Sequence, residues 1–219
     1  MILIIRKEPF ACVKAVVISM NSKPETDRLQ QWCTQIAEFT FPRWHELPEI
    51  DLYMDQVVGY LSQKLAVFYD IDDDRRSITA TMINNYVKQK IVPPPVKKRY
   101  GRAAVSALMV LFCVKQVLSI GLCGALISQC LDSAGERDEE AAQAFHNRFC
   151  HIFEEILHQT AAGDDTFSCL PALREEDSTL TAAAIAFSNQ IYAERMILQN
   201  MGDQTQTVSE KEKDNTAHE

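Results

Sequence analysis

Between Ser77 and Cys113 the chain spaces its hydrogen-bonding side chains as a helix that reads a polyanion would. Thr81, Asn84, Asn85 and Lys88 fall on one side of a helix of period 3.6. An Asn amide pairs bidentately with an adenine edge, and a Lys ammonium suits phosphate or guanine. No acid accompanies them. Further along, Lys97, Lys98 and Arg99 concentrate three cations, with Tyr100 at their base and Arg102 beyond. From Arg75 through Leu131 there is no Asp or Glu, but there are nine Lys and Arg; the chain as a whole carries −8, so the remainder carries −17. A local field of that sign inside an acidic protein points to a polyanionic partner, nucleic acid first. An ordinary solvated face has the same composition, and composition alone does not separate the two.

The elements that must hold these groups follow from the flanking pattern. Thr79 and Thr81 are both N-cap candidates, with a hydroxyl able to accept a backbone N–H two or three residues on. Ile83, Val87 and Ile91 recur every four residues, with Met82 and Tyr86 alongside, which predicts a helix over about 79–91 with one apolar face. Pro93, Pro94 and Pro95 stop it and impose an extended path over 93–100. The basic tip that follows reads as a wing lying along a phosphate backbone, or as a plain basic loop. The proline run reads equally as a rigid connector or a proline-recognition ligand.

Met82 to Pro93 (MINNYVKQKIVP) resembles the MerR-type pattern Thr-Ile-Arg-Tyr-Tyr-Glu-Lys-x-Gly-Leu-Ile-Pro, followed in the family's order by a basic wing and an apolar helix. Leu47 to Gln56 (LPEIDLYMDQ), Pro93 to Tyr100 (PPPVKKRY) and Lys115 to Ile120 (KQVLSI) extend the likeness to an uncharacterised family of bacterial proteins, mostly from Firmicutes, built on a MerR-like winged helix. The resemblance covers roughly residues 40–200, with specific motifs in 47–120. It implies a mostly all-α fold: a MerR-like winged helix-turn-helix with a small β wing plus C-terminal helices. It also implies double-stranded DNA as partner; together with the side-chain chemistry above, the expected DNA-binding residues are Thr79, Thr81, Asn84, Asn85, Lys88, Lys97, Lys98, Arg99, Tyr100 and Arg102. Asn84 and Asn85 replace the family's Arg and first Tyr, so the phosphate contacts of those side chains do not transfer. Lys90 stands where the family closes its recognition helix with Gly; a positive φ there costs on the order of 1 kcal/mol.

The expected organisation runs in five parts. Residues 1–19 are apolar but interrupted by charge, and read as an extension upstream of a working start at Met20. Residues 20–46 form a helix and a connector in which Trp44 is a core plug. Residues 47–131 form the winged helix domain, beginning with a helix from Ile50 to Tyr69 and including a buried central helix over Gly101–Val117. Residues 132–201 form C-terminal helices that supply a homodimer surface or an effector pocket, as MerR-like architecture implies. Residues 202–219 are polar and charged, and are expected to be disordered.

Other chemistries are poorly supplied. Seven cysteines, an odd number without a Cys-x-x-Cys pair, argue for reduced thiols and a cytoplasmic protein. Asp70 to Asp74 lacks the glycine and terminal glutamate of a calcium loop. His146 and Cys150 stand four apart, a spacing usable for metal, but no third ligand accompanies them. No cofactor is expected, and no apolar run is long enough to span a membrane. There is no phosphate-cradling glycine loop, nucleophile elbow or His-Glu zinc helix, so the expectation is not an enzyme. The leading expectation is a DNA-binding transcription regulator. The alternative is a non-catalytic protein-protein interaction module on the same scaffold.

Overall fold

The computed structural model of the chain describes residues 28–69, 77–132, 139–164 and 175–216. The expectations for residues 1–19 and for the acidic run after Tyr69 lie outside them. The fold is mostly helical, with one two-stranded antiparallel sheet. In chain order the elements are α1 (Arg28–Glu38), β1 (Leu52–Tyr53), α2 (Met54–Lys64), α3 (Ala80–Lys88), β2 (Arg99–Tyr100), α4 (Arg102–Val114), α5 (Ile120–Asp132), α6 (Glu139–Ala162) and α7 (Glu175–Thr216).

Helix α4 is the hub because it has no polar side to turn outward. Every residue from Ala104 to Val114 is buried, and α2, α5, α6 and α7 pack around it. Charge returns at Lys115, just past the helix. Helices α1, α6 and α7 also pack on one another. Their joint with α2 is a cluster of aromatic rings: Phe41 sits edge-on to Phe39 and against Phe149, while Phe68 meets Phe187. Trp44 is buried, as expected of a core plug.

Several expected boundaries move. The helix read from Ile50 is instead a strand and then a helix. Leu52 pairs with Tyr100 and Tyr53 with Arg99, so the chain is extended until the Tyr53 N–H is taken by Gln56 Oε1 at 2.9 Å and α2 begins. The tail expected to be disordered from residue 202 continues α7 as far as Thr216. The segment after Gly202 holds neither Gly nor Pro, so it contains no helix breaker. Among the described residues no helix is long and apolar enough to cross a membrane.

Candidate nucleic-acid interface

Helix α3 starts where Thr79 Oγ1 accepts the Met82 N–H at 3.3 Å, so Thr79 is the N-cap and Thr81 lies inside the helix. Ile83 and Tyr86 go into the core. Thr81, Asn84, Asn85 and Lys88 are exposed on the opposite side, the arrangement their spacing predicts. None of the four side chains has a hydrogen bond, ion pair or ring contact among the described residues.

The helix ends earlier than predicted, at Lys88, and in a defined way. The Ile91 N–H reaches back to the Tyr86 carbonyl and the Lys90 N–H to the Val87 carbonyl, each at 3.0 Å. These are the two bonds of a Schellman closure, which needs a left-handed residue between them. That residue is Lys90, with φ of 59°. Ile91 and Val92 then turn inward to anchor the connector. The same closure ends α6, with Gly163 at φ of 77° in the left-handed position.

The basic tip is a two-residue hairpin. Val96 and Arg99 exchange both backbone bonds, at 2.9 and 3.0 Å. Lys97 and Lys98 form the turn with φ of 50° and 66°, the signs a type I′ turn requires. Asn-Gly or Asp-Gly would serve that geometry better; a Cβ in the left-handed region costs about 1 kcal/mol or more per residue. Both lysines are exposed and unpaired among the described residues, as are Lys88 and Lys90.

Three of the predicted site residues face elsewhere. Thr79 spends its hydroxyl on the cap. Tyr100 is only 2% exposed, because its pairing with Leu52 turns it to the core face of the sheet. Arg102, in the first turn of α4, leans over the Trp44 ring at 5.8 Å with Nη1 3.8 Å from Glu139. Arg99 remains on the exposed face but is held: Nη2 donates to Tyr53 Oη at 2.8 Å, and the guanidinium lies 4.7 Å from the ring centroid. Tyr53 thus joins the candidate site, where sequence reasoning had not placed it. Its signal was the strand pairing, which no local pattern announced.

A second polar cluster lies inside the molecule. Side chains of α6 bind main-chain atoms of the connector between α1 and β1. Glu154 accepts from the Phe41 N–H at 2.7 Å and from Arg43 at 2.6 Å. Asn147 accepts from the Trp44 N–H, and His158 Nε2 donates to the Phe39 carbonyl. His146 Nε2 lies 2.8 Å from the Pro42 carbonyl, which only accepts, so Nε2 carries a proton; Nδ1 lies 2.8 Å from the Ser106 hydroxyl, which donates to it when the ring is neutral. Burial, and after it the nearby Arg43, lowers the pKa of the imidazole against the opposing Pro42 contact, which favours the neutral ring. Cys150 Sγ is 3.5 Å from the same Nε2, and burial pushes its thiol up to about 12. The pair that had metal spacing is occupied by protein partners. Among the described residues no group of three or more His, Cys, Asp or Glu is gathered as a metal site would need.

Residues 42–149 match DUF1836, a domain of unknown function. The matched segment takes in the hairpin, α3, the α4 hub and the first half of α6; α1 and α7 lie outside it. No curated protein and no solved structure matches the chain.

Proposed function

We propose that the segment from β1 to β2 is a winged helix-turn-helix and that the protein is a sequence-specific regulator binding double-stranded DNA. Helix α3 is the recognition helix and the 96–99 hairpin is the wing. The observation that supports this best is the acid-free exposure of Thr81, Asn84, Asn85 and Lys88 on one face of α3, followed by a turn made of two exposed lysines. Asn84 and Asn85 read base edges, and Lys97 and Lys98 hold phosphates. Arg99 keeps further N–H donors for phosphate while Tyr53 fixes its direction. A cytoplasmic homodimer would read two half-sites; Met196, Ile197 and Leu198, exposed on α7, supply apolar surface for it.

Selection of genomic fragments with the purified protein tests the reading. Retained fragments should share a motif, and retention should fall steeply with salt. Binding that is absent, or insensitive to salt and unchanged by Lys97→Ala/Lys98→Ala/Arg99→Ala, removes it.

One observation favours a protein-interaction module instead. Val96 and Tyr53 flank Arg99 across the sheet and are 70% and 49% exposed, with Ile50 at 73% close in sequence. Apolar side chains left in solvent beside a short sheet suit a protein contact. Co-purification of one stoichiometric partner without DNA retention would select this alternative.

A further inference from the structure

Among the described residues three non-glycine residues have positive φ, and all three are lysines: Lys90, Lys97 and Lys98. The left-handed region penalises any Cβ, and glycine or asparagine relieves the penalty. The chain uses glycine for this purpose elsewhere, since Gly163 closes α6 through the hydrogen bonds that Lys90 supports at α3. Lys90 therefore occupies a position where the backbone favours another residue. Nothing within the described molecule compensates: its side chain is exposed and makes no ion pair, hydrogen bond or ring contact. It also lies within a stretch that contains no acid from Arg75 through Leu131.

We propose that Lys90 is a third phosphate-contacting lysine beside Lys97 and Lys98. The strained backbone at its position presents an ammonium to the sugar-phosphate chain of DNA just past the recognition helix. A flexible point charge suits phosphate rather than a base edge. The inference rests on the DNA-binding reading above, and it assigns a contact to a residue outside the candidate set read from sequence.

The test uses the full chain with Lys90→Gly and Lys90→Arg, a selected fragment, and non-specific duplex of equal length. Glycine relieves the backbone and removes the charge, so the two readouts should move in opposite directions. The melting temperature of Lys90→Gly should rise while affinity falls about fivefold near physiological salt, with the slope of log K against log salt shallower by about 1. The loss should be equal on both duplexes, as a phosphate contact requires, and Lys90→Arg should bind as the parent does. A Lys90→Gly protein that binds with parental affinity and salt slope overturns the inference, as does a lowered melting temperature. If the parent itself shows no salt-dependent retention of duplex, the DNA-binding reading has failed, and the parental control identifies that case.

Discussion

Along α6, Glu154, His146, Cys150, Asn147 and His158 all turn toward the main chain of residues 39–44, where each is buried or half-buried and each has a partner. Along α3 and the hairpin, Asn84, Asn85, Lys88, Lys90, Lys97 and Lys98 are exposed and partnerless among the described residues. Both regions are rich in polar side chains. In the first they satisfy backbone groups that burial would otherwise orphan. In the second they add nothing to the interior, and at three positions they strain the chain. The contrast separates polar groups that stabilise the fold from polar groups available to a partner.

Substitutions should respect that division. Glu154→Ala should have the largest effect, because it leaves the Phe41 N–H and Arg43 without their acceptor; a loss of about 3 kcal/mol is expected, less than for a fully buried pair because Arg43 is partly solvated. Urea unfolding should show a lower midpoint at unchanged slope. A loss under about 0.5 kcal/mol would erase the contrast.

Gly163→Ala and Thr79→Ala should each cost about 1 kcal/mol, the first from positive φ and the second from the lost cap. Thermal unfolding measures both, and a neutral Gly163→Ala would weaken the argument from strain.

Acidification should act through His146. Its folded pKa lies below the ordinary 6.5, so the unfolded chain binds the proton more readily. This contribution is complete above about pH 6.5 and is lost as pH falls toward the folded value. Stability measured by urea at a series of pH values should drop across that window, and the drop should shrink in His146→Gln.

The smallest effect has the opposite sign. Lys97→Asn/Lys98→Gly supplies the residues a type I′ turn favours and should raise stability by up to about 1 kcal/mol. Destabilisation by this pair would show that the lysines also support the fold.

Much of this contrast was legible in the order of residues. The face of α3 follows from Ile83 and Val87, with Met82 and Tyr86 alongside, lying opposite the amides, although Ile91, read as the next member of that stripe, falls beyond the helix; the buried character of α4 follows from the absence of charge between Arg102 and Lys115. The positive φ at Lys90 falls where the MerR-type pattern has a glycine, a position the sequence marked only as one where a lysine would cost energy. What escaped was set by distant partners. Tyr100 and Arg102 sit among cations in sequence, yet the pairing with Leu52 turns one inward and Trp44 with Glu139 draws the other aside. The inner cluster joins residues more than a hundred positions apart, beyond any local period. His146 and Cys150 carried a metal-like spacing that folding uses for a carbonyl and a hydroxyl instead.

The hairpin also bears on proteolysis. Lys97, Lys98 and Arg99 are three adjacent targets for trypsin-like enzymes, yet the turn must be drawn out straight before it fits a protease cleft. Doing so breaks both Val96–Arg99 bonds and the hold of Tyr53 on Arg99. The rate of cutting there therefore reports how often this corner opens. Digestion in the presence and absence of a ligand would read occupancy of the tip without a label.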